Sequence, residues 1–237
     1  MRTVSVSKPS VSVIVAVSNR PGLVAALRAS YQQNNNECAE VVVVHSADDQ
    51  DWLEKRLCVL NLPITHIGSG KRSFNKSYQV NIGAAVARGE LLMLQDADVI
   101  LPSGFLEAAA YFATPTGMCC LAAVAEAEYP TRRRIAPGNL LCRRDTFTHI
   151  GGMSSDLVGW GWEDLDLLIR LRLAGVEIFS TGVGIHLTHS DRFRSIIDSV
   201  DAQASDGKNR LISLERISRK GISGTYEVDV NNWMTRC

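Results

Sequence analysis

The stretch V-S-V-I-V-A-V-S-N-R-P-G-L-V-A-A-L-R-A-S-Y, Val11 to Tyr31, decides the fold. From Val11 to Val17 it is apolar except for Ser12 and rich in β-branched residues, which reads as a buried strand. S-N-R-P-G is turn chemistry, because Asn, Pro and Gly each set backbone angles that break a regular element. L-V-A-A-L-R-A-S-Y then carries helical spacing. A strand with apolar residues on both faces that feeds directly into a helix opens a parallel sheet covered by helices on two sides.

Working outward, Val41 to Val44 reads as a second buried strand, Leu53 to Leu60 as a short amphipathic helix, and Ile64 to Ile67 as a third strand. The Ala-rich run Lys76 to Ala87 is helical and closes at Gly89, and Leu91 to Leu94 is a strand running straight into Q-D-A-D. The expected class is α/β, a mostly parallel sheet with a Rossmann-like nucleotide-binding half. Ligands of such sheets bind beyond the carboxyl ends of the strands, which selects Ser18 to Arg20, His45 to Asp48 and Asp96 to Asp98. The second half holds a basic loop Y-P-T-R-R-R, an A-P-G-N segment, a helix from about Arg143 to Gly151-Gly152 and another from about Glu163 to Gly175. Beyond Asp198 the sequence is polar and weakly periodic, expected as a helix followed by a loosely attached end. One domain spanning 1–237 is expected, with a nucleotide-binding half over about 11–100, an acceptor and catalytic half over about 101–195, and a tail over 196–237.

Of the 237 residues, 46% are hydrophobic, enough for one sizeable core. Lys plus Arg and Asp plus Glu each number 25, so no global field recruits nucleic acid or an anionic surface. Cys38, Cys58, Cys119, Cys120, Cys142 and Cys237 form no C-x-x-C pair, which argues against a zinc knuckle and a disulfide framework and for reduced thiols. The N-terminus lacks the continuous apolar run of a signal peptide, and no stretch has the length of a membrane span. The expected location is cytoplasmic, free or peripheral at a membrane.

Asp96-Ala97-Asp98 places two carboxylates on a turn at the sheet's carboxyl edge, where hard oxygen ligands suit Mg²⁺ or Mn²⁺ bridging a diphosphate. A solvated turn would use the same residues. G-W-G-W-E-D-L-D-L-L-I-R, Gly159 to Arg170, is more specific. Helix-dipole pairing explains Glu163 and Asp164 at a helix start but leaves Trp160 and Trp162 unexplained. Leu165, Leu168 and Leu171 are expected to share the packed face of that helix, turning its first turn toward a cleft. His186 and His189 lie three residues apart, and Mn²⁺ accepts mixed oxygen and imidazole ligands where a pure Mg²⁺ site would not normally take histidine. The run Arg132-Arg133-Arg134 reads as a solvated loop, with capture of an acidic acceptor as the alternative.

With these residues in place the chain resembles the GT-A glycosyltransferases, in particular the β-1,4-galactosyltransferase C-terminal pattern shared with bacterial family 2 enzymes of the chondroitin-polymerase kind. The matching blocks, in order, are V-S-N-R-P, F-N-K-S-Y-Q-V-N-I-G with D-A-D-V-I-L-P, G-W-G-W-E-D-L-D with a following Arg, and H-L-T-H. The resemblance implies metal binding by Asp98 and His189, with His186 as a further ligand, and Asp96 near the donor's ribose or sugar. It implies Asp164 as general base, Glu163 as the holder of sugar hydroxyls, Trp160 and Trp162 on the acceptor side, and Ser18, Arg20, Phe74 and Lys76 on the nucleotide side. The implied partners are a UDP-sugar donor and a carbohydrate or glycoconjugate acceptor, with Mn²⁺ or Mg²⁺ as cofactor.

The pattern departs from the galactosyltransferases where Trp162 replaces a Gly, Leu165 an acid, and His186 a Met. Ile135 stands where that family carries a larger aromatic near the donor's C2 group, which would leave room for an N-acetyl. The expected reaction is inverting transfer of a hexose or N-acetylhexosamine. The rivals are a sugar nucleotidyltransferase, which would want a basic Gly-rich loop where S-N-R-P-G stands, and a non-catalytic sugar-binding module.

Overall fold

The computed structural model describes residues 9–34, 38–46, 50–188 and 202–236. Strands β1 (Val11–Val17), β2 (Cys38–His45), β3 (Ile64–Gly68), β4 (Leu91–Leu94), β5 (Val99–Ile100), β6 (Gly117–Glu126), β7 (Arg133–Arg143) and β8 (Glu177–His186) form one sheet in the order β3-β2-β1-β4-β7-β6-β8-β5. Its first half, β3-β2-β1-β4, is parallel throughout. β7 joins antiparallel to both β4 and β6, β6 runs parallel to β8, and the short β5 closes the edge antiparallel to β8.

Two apolar layers hold helices to the sheet. Alternate β1 residues Val11, Val13, Val15 and Val17 pack with Leu23 and Leu27 of α1 (Leu23–Asn34), Leu53 of α2 (Gln50–Leu57) and Phe105 of α4 (Phe105–Phe112). Ile14, on the opposite face, packs with Tyr78 and Ile82 of α3 (Lys76–Val86), Phe147 of α5 (Arg144–His149) and Leu167 and Leu171 of α6 (Glu163–Leu173). Each such buried side chain contributes about 1.5–3 kcal/mol relative to exposure, so the central strands are the most strongly held part of the chain. Gly83 lets α3 lie close to β1, since a Cβ there would come 2.5 Å from Ile14 Cγ2.

The tail corrects one expectation. Two helices, α7 (Ala202–Lys220) and α8 (Tyr226–Met234), follow, and α8 is docked rather than loose. Its Asp229 is buried and accepts hydrogen bonds from Asn81 Nδ2 (2.7 Å) and Ser155 Oγ (2.7 Å), while Trp233 Nε1 donates to the Gly68 carbonyl. The expected packed face of α6 also shifts. Asp166, Leu167, Arg170 and Leu171 are buried, whereas Leu165 faces the cavity described below. Asp166 and Arg170 can take that face because they form an i,i+4 ion pair of 2.9 Å with both side chains fully buried.

Among the described residues no helix is long and apolar enough to cross a membrane. The described cysteines, Cys38, Cys58, Cys119, Cys120 and Cys142, are free thiols, and burial pushes Cys142 up to about 12, which makes it inert.

Candidate active site

The register of the sheet builds the site. β1 and β4 pair in parallel with Ile14 opposite Leu94, and Gln95 N–H donates to the Ile14 carbonyl, so Asp96 and Ser18 leave the sheet at the same edge. A cavity of about 310 Å³ lies at that edge. Ser18, Arg20, Phe74, Lys76, Asp96, Asp98, Trp160, Trp162, Glu163, Asp164 and His186 all line it, so sequence segments from five distant regions converge as expected. His45 does not. It is buried, with its ring Nδ1 within 2.8 Å of the Ser46 carbonyl oxygen, and residues 47–49, like His189, lie outside the described residues.

Asp96 is fixed by Asn139 of β7. The Asp96 N–H donates to Asn139 Oδ1 (2.9 Å) and Asn139 Nδ2 donates to Asp96 Oδ2 (2.8 Å). The other carboxylate oxygen takes a hydrogen bond from Lys76 Nζ at 2.7 Å. The same ammonium lies 2.9 Å from Asp164 Oδ1 and 3.0 Å from Asp164 Oδ2, and so ties the D-A-D turn to the E-D segment across the cavity. Burial works against the Lys76 charge, but Asp164, Asp96 and Glu163 outweigh it and hold its pKa well above the usual lysine value.

Gly138 makes room for this pairing. A Cβ there would come 2.6 Å from Asp164 Oδ2 and 2.7 Å from Lys76 Nζ. Burial raises the Asp164 pKa, with Lys76 opposing and Asp96 reinforcing the shift. Burial and the Asp164 charge push Glu163 up to about 7. Both acids sit in the first turn of α6, entered through Trp162 at φ 71, a left-handed conformation that turns the chain sharply into the helix.

The metal-side expectation rests on Asp98 and His186. β5 pairs Val99 with His186 of β8, so Asp98, one residue earlier, lies beside the imidazole, with Oδ1 at 3.9 Å from Nε2. Arg20 Nε lies 3.5 Å from Asp98 Oδ2. The described residues contain no group of three or more His, Cys, Asp or Glu spaced to hold a metal ion. One carboxylate oxygen and one imidazole nitrogen facing each other nevertheless fit a borderline-hard divalent cation such as Mn²⁺, whose remaining positions a diphosphate would fill.

The tryptophan loop is held from α7. Ser205 Oγ accepts from the Trp160 N–H (3.1 Å) and donates to the Trp160 carbonyl (2.6 Å), and Asn209 Nδ2 donates to the Gly161 carbonyl (2.9 Å). Trp160 stays 48% exposed, and Arg210 lies over the Trp162 ring at 5.4 Å. Residues the sequence reading missed are Asn139, Gly138, Asp206 of α7, which also lines the cavity, and Glu126, 2.7 Å from His186 Nδ1. Arg134 belongs here too, since it lines the cavity and pairs with Glu126, so the Arg132–Arg134 run is not wholly a solvated loop. Ile135 is 71% exposed and is not a cavity-lining residue.

The fold is of the GT-A glycosyltransferase type. Glycosyl transferase family 2 matches residues 12–153, more than half of the chain, and the chain belongs to that family. A second family, described as the N-terminal domain of galactosyltransferase, matches residues 117–192. No curated protein sequence matches the chain.

Similar solved structures include GalNAc-T7 with UDP, GalNAc and Mn²⁺ (TM-score 0.70, 14% identity), in which the match covers 88% of this chain and 48% of that one, about half its length. The mannosyltransferase PcManGT from Pyrobaculum calidifontis, in complex with GDP-Man and Mn²⁺, matches with TM-score 0.61 and 19% identity over 98% of this chain and 74% of that one. The catalytic domain of Drosophila β1,4-galactosyltransferase 7, complexed with xylobiose, matches with TM-score 0.59 and 18% identity over 85% and 79%.

Proposed function

We propose that the chain transfers a hexose or N-acetylhexosamine from a UDP-sugar to a carbohydrate hydroxyl with inversion at the anomeric carbon, and that Asp164 is the general base. The observation that carries this reading is the Asp96–Lys76–Asp164 bridge. It sets a partly buried carboxylate facing the D-A-D turn on the wall of one cavity, in the relation that an acceptor hydroxyl and a donor diphosphate would need.

In the reaction, an Asp164 oxygen takes the proton of the acceptor hydroxyl as that oxygen bonds to the donor's anomeric carbon. The bond from that carbon to the diphosphate oxygen breaks, and its electron pair leaves with UDP. Lys76 orients Asp164 and opposes the rise in its pKa that burial causes. Glu163 and Trp160 hold the sugars, one by hydrogen bonds to hydroxyls and the other by its exposed indole face. Ser18, Arg20 and Phe74 line the nucleotide side. A divalent cation, Mn²⁺ or Mg²⁺, held by Asp98 and His186, would supply positive charge against the departing diphosphate.

The test is steady-state kinetics on two variants, with UDP affinity as the folding control. Asp164→Asn is expected to lose about 10²-fold or more in kcat with UDP affinity kept, because only the proton acceptor is gone. Glu163→Gln is expected to raise KM as well. Near-normal kcat in Asp164→Asn would place the base elsewhere. Asp98→Ala is expected to remove Mn²⁺-dependent UDP binding, and unchanged affinity by calorimetry would sink the metal assignment.

A further inference from the structure

We infer that Glu126 is a positioning residue for metal binding. It acts through His186 by fixing which imidazole nitrogen is turned toward the cation. The inference rests on the metal reading proposed above and goes beyond it, since neither motif spacing nor the D-A-D turn points to this residue.

β6 and β8 run in parallel with Glu126 directly opposite His186, and Glu126 Oε2 lies 2.7 Å from His186 Nδ1. A carboxylate at that distance accepts the Nδ1–H proton, which turns Nε2 toward the Asp98 side of the cavity, 3.9 Å from Asp98 Oδ1. The cation would therefore meet the ring through Nε2, with the ring's orientation fixed by the carboxylate behind it.

Glu126 is itself held ready. Arg134 Nε lies 3.3 Å from Glu126 Oε1, so each carboxylate oxygen has its own partner and the carboxyl plane cannot rotate freely. A purely structural role would be to neutralise Arg134 and tie the β6–β7 hairpin. That role predicts a change in stability and none in metal affinity at fixed folded fraction.

The experiment measures Mn²⁺ affinity by titration calorimetry, with Mn²⁺ alone and with saturating UDP, for the wild-type chain and for Glu126→Gln, Glu126→Ala and His186→Ala. Outer carboxylate partners of metal-bound histidines are typically worth about 10–100-fold in affinity, so Glu126→Ala is expected to weaken Mn²⁺ by that factor. Glu126→Gln, which can still accept the Nδ1–H bond but carries no charge, is expected to fall between it and wild type. UDP affinity without metal is expected to stay unchanged in both. Wild-type Mn²⁺ affinity in Glu126→Ala, with His186→Ala weakened, would overturn the inference and leave the metal reading standing. Wild-type affinity in His186→Ala, or no Mn²⁺ binding by the wild-type chain, would overturn both.

Discussion

Lys76, the first residue of α3, and Asp164, in the first turn of α6, form an ion pair of 2.9 Å across 88 residues of sequence. Two helix N-termini would ordinarily repel a lysine and attract the acid. Here the lysine is kept because it faces two carboxylates, Asp96 and Asp164, whose charges hold its own pKa well above the usual lysine value. Replacement by Met would remove the cation that opposes the effect of burial on Asp164. The Asp164 pKa would rise further, and a base works only above its pKa, so the acidic limb of the kcat–pH profile is expected to move to higher pH. A superimposable profile in Lys76→Met would show that the pair does not govern the base.

Glu163 gives a prediction of opposite kind, on stability. Its folded pKa stands at about 7 against an ordinary 4.5, raised first by burial and then by Asp164. Between those values the folded state holds a proton that the unfolded chain releases, so the contribution of this group is full below about 4.5 and is lost as pH rises through 7. Glu163→Gln, neutral throughout, is therefore expected to melt at nearly the wild-type temperature at pH 5 and higher than wild type at pH 8. A gain on the order of 1 kcal/mol corresponds to roughly 2–4 °C for a chain of this size. Equal melting temperatures at pH 8 would contradict the raised pKa.

Gly138→Ala tests how closely the site is fitted. The added carbon would intrude on both Asp164 Oδ2 and Lys76 Nζ, so the bridge must open while the strand, at an ordinary backbone conformation, persists. The expectation is a loss of about tenfold or more in kcat with an unchanged circular-dichroism melt. A matched loss of both would point to β7 instead.

Asp166 separates position in a motif from function. It lies two residues past Asp164, yet its carboxylate is fully buried and is met by Ser154, Arg170, Ser213 and Arg216. Burial opposes its charge, but Arg170 leads the groups that outweigh burial and lower its pKa. Asp166→Asn takes the ion-pair partner from the buried Arg170 and leaves Arg216 with its 3.4 Å ion pair to Asp156, and is expected to cost about 3–5 kcal/mol in a urea melt. If stability holds and turnover falls, Asp166 belongs to the chemistry.

What the sequence made legible follows the cost of alternatives. β1, β2 and β4 are short apolar runs with one tolerable fate, burial on both faces, and the turns after β1 and β4 were readable as the ligand edge, whereas His45 after β2 is buried away from the cavity. β7 was not readable. R-R-R-I-A-P-G-N carries charges, a proline and a glycine, all poor strand residues, and it enters the sheet because the β6–β7 ladder shifts register between Leu121 and Val124. Glu126 and Asn139 were missed because their partners, His186 and Asp96, come from other strands, β8 and the end of β4. Leu165 rather than Asp166 and Arg170 was given the packed face of α6 because a polarity pattern cannot show that two charges cancel each other in the core. The blocks around Asp98, Asp164 and His186 were legible because each carries reactive side chains at a fixed offset from a strand end or helix start.

The return of α7 and α8 to the body of the protein also sets an order of assembly. Asp166 reaches Ser213 and Arg216, and Asn81 reaches Asp229, only after nearly the whole described chain has been made. During synthesis the sheet from β1 to β8 can therefore condense while the Asp166–Arg170 pair of α6 still lacks Ser213 and Arg216. A nascent chain would then hold the Lys76–Asp164 bridge before the buried network behind it had closed.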